Sequence, residues 1–169
     1  MQRMLMIDDE INVLHALQRS LRQCGLASRL RLELFTDTGE ALARARQVDF
    51  DIVLSDFQMP GMNGIAFLKR FRELQPDAIR LILSASTEFE TVMRAVNEAE
   101  IFRYLSKPWS QDALHDVIGQ AMVRRDEADW IGMQTGQTTA QVIATRQLEA
   151  DEPGITKVNW GPDGSVMLD

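Results

Sequence analysis

Residues 51–64 constrain the fold more than any other part of this chain of 169 residues. Positions 52–54 are wholly apolar, which is typical of a strand buried on both faces of a parallel sheet. One carboxylate, Asp56, stands where the apolar run stops, and the Pro-Gly and Asn-Gly pairs within 60–64 then predict a loop. Ligands of open α/β sheets bind outside the carboxyl ends of the strands. The sequence therefore places Asp56 where we expect chemistry.

The first 125 residues contain five successive βα units, each with a short apolar run followed by a helical pattern, and no sequence repeat. The runs that predict strands lie at 4–7, 30–35, 52–56, 79–83 and 101–105. The residues expected on inner helix faces include Ile11, Leu14, Leu17 and Leu21 in the first helix and Val92, Ala95 and Val96 in the fourth. Asp37 and Ser110 are predicted helix N-caps. Five βα units with right-handed crossovers predict a doubly wound, five-stranded parallel sheet of the α/β class.

Composition excludes several classes of function. The single Cys24 excludes an internal disulfide framework and favours a reducing compartment. The two histidines, His15 and His115, stand apart from any Cys/His cluster, so zinc has no support. The N-terminus enters a strand without a signal-peptide apolar region, and no apolar run approaches membrane-spanning length. We therefore expect a cytoplasmic protein that does not bind a membrane.

Residues 126–169 differ from the rest in charge, because they hold 8 acidic and 2 basic residues and so carry −6 of the net −7. An acidic segment binds phosphate backbones poorly, so we expect no nucleic-acid partner. The pattern predicts a helix that continues through Trp130, a second helix at 140–150 and a β-hairpin at 155–168. We expect this acidic extension to serve dimerisation or partner docking, since exposed Trp130 and Trp160 need cover. The alternative is a cap that folds back on residues 1–125.

Polar side chains follow four of the predicted strands at their carboxyl ends. They are Asp8 and Asp9 after the first, Asp56 after the third, Ser84 after the fourth and Lys107 after the fifth. Each alone has an ordinary explanation as a cap, turn or solvated loop residue. Together, three converging carboxylates repel one another, and a hard divalent cation such as Mg²⁺ relieves that repulsion. A carboxylate nucleophile, Mg²⁺, a hydroxyl and a lysine are typical of phosphoryl transfer.

On these motifs, residues 1–125 resemble the receiver domain of a bacterial two-component response regulator. The segments that carry the resemblance are 8–10, 56–64, 84–85 and 104–109. The resemblance implies a flavodoxin-like fold with strand order 2-1-3-4-5. Residues 101–109 further resemble receivers fused to HD-type cyclic-dinucleotide phosphodiesterases. The chain lacks the metal-binding histidines of that hydrolase, so we expect no effector enzyme domain.

The resemblance also implies a role for each acidic residue of the site. Asp56 would accept a phosphoryl group from the phosphohistidine of a sensor histidine kinase or a phosphotransfer protein. Asp9 and Asp56 would bind Mg²⁺ directly, together with the backbone carbonyl of Gln58. Asp8 would bind the metal through water.

The remaining implied roles concern the phosphorylated state. Lys107 and Ser84 would bind the phosphoryl oxygens, and Tyr104 would rotate inward behind them as a second switch residue. Gln58 and Ser86 would tune the lifetime of the aspartyl phosphate. A downstream protein partner would bind residues 88–122 and the acidic extension, with homodimerisation as a further possibility.

Two other functions stay open. An Mg²⁺-dependent aspartyl phosphohydrolase of the haloacid-dehalogenase type would need a D-x-D motif after the first strand, where this chain has Asp8-Asp9-Glu10. A phosphorylation-independent scaffold is the second, although all five site positions hold chemically competent residues. The leading expectation is a phosphorylation-dependent signalling switch that catalyses only its own phosphoryl transfer and dephosphorylation.

Overall fold

Five parallel strands form one sheet in the order β2-β1-β3-β4-β5. The computed structural model describes residues 1–85, 87, 89–135, 159–160 and 166–167. The strands of the sheet are β1 (Gln2–Ile7), β2 (Leu30–Phe35), β3 (Ile52–Asp56), β4 (Ile79–Ala85) and β5 (Arg103–Lys107). The predicted doubly wound parallel sheet and its strand order are confirmed.

A helix follows each strand of the sheet. The helices are α1 (Ile11–Gln23), α2 (Thr38–Ala45), α3 (Gly64–Leu74), α4 (Phe89–Ala99) and α5 (Gln111–Thr135), and a 3-10 turn (Ala27–Arg29) precedes β2. The side chain of Asp37 accepts a hydrogen bond from the Glu40 amide at 2.8 Å, and the Ser110 hydroxyl accepts one from the Ala113 amide at 3.1 Å. Both predicted N-caps are therefore confirmed, because these bonds satisfy amides that a helix leaves unpaired.

The core lies on both faces of the sheet, as alternation along β1 illustrates. Met4 and Met6 pack with α1 and α5 on one face, whereas Leu5 and Ile7 pack with α2, α3 and α4 on the other. All four side chains are at most 1% exposed. Burying a side chain of this size contributes roughly 1.5–3 kcal/mol. The double burial holds the carboxyl end of β1, and with it the site, in a fixed place.

Two sequence predictions need correction. Ile11 is 44% exposed and does not join Leu14, Leu17 and Leu21 on the inner face of α1, because the helix begins beyond the carboxyl edge of the sheet. The fifth strand begins at Arg103 instead of residue 101. The Ile101 amide donates to the Val96 carbonyl at 3.1 Å, so this residue completes the end of α4.

The fourth helix keeps most of its predicted inner face. Val92 is fully buried and Val96 packs against the same core, while the side chain of Ala95 lies outside the described part of the chain.

The chain divides into two compact units, residues 1–127 and 128–169. In the second unit, β6 (Asn159–Trp160) and β7 (Val166–Met167) pair antiparallel, which agrees with the predicted hairpin. The predicted helix at 140–150 and the rest of the hairpin lie outside the described residues. Helix α5 continues through Trp130 as predicted. Among the described helices, none combines the length and the apolar character needed to cross a membrane.

Candidate functional site

The carboxyl ends of β1, β3 and β5 bring three of the predicted residues into contact. Ile7 pairs with Ser55, so the residues that follow, Asp8 and Asp56, stand side by side. The Lys107 Nζ atom lies 2.9 Å from Asp56 Oδ1 and 2.9 Å from Asp8 Oδ2. Asp8 is 1% exposed and Asp56 is 5% exposed. A half-buried ammonium group therefore bridges two buried carboxylates at the edge of the sheet.

The three carboxylates of the predicted metal site form one cluster. Asp8, Asp9 and Asp56 each offer a carboxylate oxygen, and these oxygens lie within 4.8 Å of one another. Asp9 is exposed, so the cluster opens to solvent on that side. An all-oxygen set of three carboxylates suits Mg²⁺ or another hard divalent cation. The residues present therefore fit the predicted metal.

Burial dominates the electrostatics of Asp56. Burial raises the pKa of Asp56 to about 6, the hydrogen bond from Lys107 opposes this rise, and the charges of Asp8 and Asp9 add to it. Burial alone would lower the pKa of Lys107, but its bonds to Asp56 and Asp8 outweigh that effect and raise it. Ionised Asp56 therefore sits in surroundings short of positive charge, which a bound divalent cation would supply.

Asp8 is held by two donors. Its Oδ1 atom accepts a hydrogen bond from the Glu10 amide at 2.9 Å, and its Oδ2 atom accepts one from Lys107. Both oxygens thus have protein donors, one in the loop that joins β1 to α1 and one at the end of β5. This arrangement fixes the orientation of the Asp8 carboxylate toward the cluster.

Of the two predicted switch residues, Ser84 lies near the carboxyl end of β4 and Tyr104 lies near the start of β5. Ser84 is fully buried, and its hydroxyl donates to the Ala85 carbonyl at 3.4 Å. Tyr104 is half-buried on β5, with its ring 5.6 Å from the Phe89 ring in an edge-on contact. Gln58 is exposed in the loop after β3, and Ser86 lies outside the described residues.

Gly64 is a site residue, although its sequence pattern predicts only a loop position. A Cβ atom at Gly64 would lie 2.1 Å from the Asp56 carbonyl oxygen and 2.9 Å from Ile82 Cδ1. The Gly64 amide also donates to the Phe57 carbonyl at 2.8 Å. Helix α3 therefore begins in direct contact with the backbone of Asp56. Asn63, which caps α3, was the available signal, because it places Gly64 in the first helical turn.

Comparison with known proteins identifies the family to which this site belongs. Residues 4–119 match the family model of the response regulator receiver domain. The hydrogenase transcriptional regulatory protein HoxA of Cupriavidus necator is 36% identical over 118 residues, which cover 70% of this chain and 23% of HoxA. The transcriptional regulatory protein ZraR of Escherichia coli is 32% identical over 160 residues, which cover 95% of this chain and 31% of ZraR. The chain thus spans less than a third of either relative.

Solved structures give the same result. A structure described as adenylate cyclase from Rhodopirellula baltica has a TM-score of 0.72 at 28% identity, covering 81% of this chain and 98% of that chain. The signal receiver domain of an HD domain-containing protein from Pseudomonas fluorescens has a TM-score of 0.67 at 28% identity, covering 75% and 90%. The family match over residues 4–119 agrees with the strand order and with the cluster of three carboxylates. The chain belongs to the response regulator receiver domain family.

Proposed function

We propose that this receiver domain is a phosphorylation-dependent signalling switch. Asp56 accepts a phosphoryl group from the phosphohistidine of a sensor histidine kinase or a phosphotransfer protein, and the modified domain then contacts a downstream protein. The observation that carries the proposal is Lys107, whose ammonium lies 2.9 Å from both Asp56 and Asp8 beside the acidic cluster. A fixed cation beside a buried carboxylate is the arrangement that stabilises negative charge arriving on a phosphoryl group.

In the transfer, a carboxylate oxygen of Asp56 attacks phosphorus. An O–P bond forms, the N–P bond of the donor breaks, and the electron pair returns to the donor imidazole. Lys107 already touches the nucleophile, so it needs no large movement to bind the phosphoryl oxygens. Bound Mg²⁺ would supply further positive charge at those oxygens.

The metal would be held by Asp9, by Asp56 and by the backbone carbonyl of Gln58, with Asp8 acting through water. The two hydrogen bonds on Asp8 support that last assignment, because each of its oxygens already has a protein donor. The exposed position of Asp9 supports a site that exchanges metal with solvent.

The switch depends on contacts that differ between the two states. A phosphoryl group adds negative charge and strong acceptor oxygens at the end of β3. The Ser84 hydroxyl would leave the Ala85 carbonyl for one of those oxygens, and Tyr104 would move inward from its contact with Phe89. Gln58 and Ser86 would tune how long the phosphoryl group survives. The output would pass through residues 88–122 and the acidic extension at 126–169.

Intact-mass measurement after incubation with acetyl phosphate and Mg²⁺ tests the proposal. We expect one phosphoryl adduct per chain, lost in Asp56→Asn and retained in Asp37→Asn, whose exposed side chain can still cap α2. Multiple turnover of a phosphate ester would instead identify a phosphohydrolase. No adduct under any condition would leave a phosphorylation-independent scaffold.

A further inference from the structure

A buried cation lies at the opposite end of β4 from the site. Arg80 is 4% exposed, and each of its three guanidinium nitrogens donates at least one hydrogen bond. Its Nε atom donates to the Ala99 carbonyl at 2.8 Å, and its Nη1 atom donates to the Ala78 and Pro76 carbonyls at 2.9 and 3.2 Å. Buried guanidinium groups need such partners, because an unpaired buried charge strongly destabilises a fold. Arg80 therefore ties the last residue of α4 to the amino-terminal end of β4.

Glu100, the residue after α4, adds ion pairs to these hydrogen bonds. Glu100 has a φ of +50°, a left-handed conformation that glycine ordinarily supplies at helix ends. Its carboxylate lies 3.4 Å from Arg80 Nη2 and 3.4 Å from Arg72 Nη1. A glycine would suit the backbone better but could not make either ion pair. The chain thus keeps a strained residue whose side chain joins two cations.

Helix α3 contributes to the same contact. Arg72 Nη1 also donates to the Glu98 carbonyl at 3.2 Å, and Lys69 forms an ion pair with the Glu98 carboxylate. Cations near the last turn also interact favourably with the helix dipole. We call Lys69, Arg72, Arg80, Glu98 and Glu100 the α4 clamp.

The two ends of α4 are held by different kinds of contact. At its amino-terminal end, Phe89 is 48% exposed and touches the Tyr104 ring edge-on. An aromatic contact of this kind adapts to small shifts, whereas the directional hydrogen bonds of the α4 clamp do not. Strand β4 joins the two regions, since it carries Arg80 near its start and Ser84 near its end.

We propose that Arg80 is a positioning residue of the switch, which keeps the last turn of α4 stationary while the first turns respond to Asp56. The helix has 11 residues and is about 16 Å long, so fixing one end concentrates displacement at the other. The end that moves is the end that touches Tyr104. This inference rests on the proposed function, because it requires a phosphoryl group at Asp56.

Hydrogen exchange of the full chain, followed by mass spectrometry, tests whether the last turn of α4 stays stationary. Beryllofluoride, added with Mg²⁺, serves as the phosphoryl analogue. In the wild type we expect the analogue to change exchange at residues 89–93 and to leave residues 96–101 unchanged. In Arg80→Gln we expect about tenfold faster exchange at 96–101 without the analogue, because the Ala99 carbonyl loses its buried donor. The analogue-induced change should then spread into that segment. Arg70→Gln, an exposed residue of α3, is the matched control.

A second variant covers the case in which Arg80→Gln fails to fold. Glu100→Gly keeps the left-handed backbone and removes both ion pairs, and it should spread the analogue-induced change in the same way. A wild-type response of equal size at both ends of α4 would overturn the inference. So would variants in which the response stays confined to 89–93. Absence of any adduct on Asp56 would instead overturn the proposed function, which intact mass reports separately.

Discussion

Burial affects the pKa of Asp56 more than the charged neighbours of this residue do. The pKa of its carboxyl is raised to about 6 by burial although Lys107 lies 2.9 Å away. Its place was predictable from sequence, because an acid after an apolar run falls at the carboxyl end of a strand. The raised pKa was not predictable, because it depends on how completely β1, β4 and α3 enclose the carboxylate.

This raised pKa sets the pH dependence of stability without metal. The native state holds a proton on Asp56 between about pH 4 and 6 that the unfolded chain has released, so this residue lowers the unfolding free energy as pH rises through that window. The total loss is about 3 kcal/mol at pH 7. We expect Asp56→Asn to be more stable than the wild type by that order at pH 7, with the difference vanishing near pH 4. Urea unfolding of both proteins in EDTA measures it, and a difference independent of pH would contradict this assignment.

Gly64 is the second residue whose role appears only in three dimensions. A methyl group there would collide with the Asp56 carbonyl oxygen at 2.1 Å. We expect Gly64→Ala to destabilise the fold by about 1–3 kcal/mol and to slow phosphorylation of Asp56, because α3 must shift away from β3.

Gly119 in α5 is the matched control for Gly64. A Cβ atom at this position would meet nothing within 4 Å. Gly119→Ala should therefore stabilise the protein by about 1 kcal/mol and leave the phosphorylation rate unchanged. Equal effects of the two substitutions in thermal unfolding would refute the contact between α3 and Asp56.

At the scale of elements, the sequence specified the type and order of helices and strands but not every boundary. Apolar runs located all five strands, and short polar side chains located the caps at Asp37 and Ser110. The start of β5 was displaced because Glu100 adopts a left-handed conformation without being a glycine. The role of Arg80 was not predictable, because most of its partners are backbone carbonyls, which no side-chain pattern indicates.

Gln75 gives an element-scale prediction, because its buried side chain joins three segments. Its amide nitrogen donates to the Ala45 and Val48 carbonyls at 2.6 and 2.7 Å, and its oxygen accepts from the Phe50 amide at 2.7 Å. We expect Gln75→Ala to lower the unfolding free energy by about 3 kcal/mol or more, since buried backbone groups lose their partners. Gln47→Ala, at an exposed position, should change it by less than about 0.5 kcal/mol. Chemical unfolding of both variants decides the matter, and similar small losses would count against this role.

At the scale of the whole molecule, net charge is unevenly distributed along the chain, and α5 carries large exposed apolar side chains. Residues 126–169 carry most of the net negative charge, while Trp130 and Met133 on α5 are 64% and 86% exposed. The charge asymmetry was visible in the sequence. Whether a partner covers these side chains was not, because that depends on a second surface that the sequence of one chain does not contain.

Self-association is the expected use of that surface. We predict a molar mass that rises with concentration in light scattering and changes when acetyl phosphate and Mg²⁺ are added. Trp130→Ala should weaken the association, because aromatic anchors carry much of the binding energy of interfaces. Val123→Ala is the comparison variant, because it truncates a smaller apolar side chain that is 58% exposed on the same helix. A monomer at every concentration and in both states would exclude homodimerisation.

Locating the phosphorylated residue tests phosphoryl transfer to Asp56 most directly. The protein would be incubated with acetyl phosphate and Mg²⁺, reduced with borohydride to trap the acyl phosphate, digested and mapped by mass spectrometry. We predict that the trapped product lies on Asp56 alone and disappears when EDTA replaces Mg²⁺. A product on another residue, or none with Mg²⁺ present, would contradict the account.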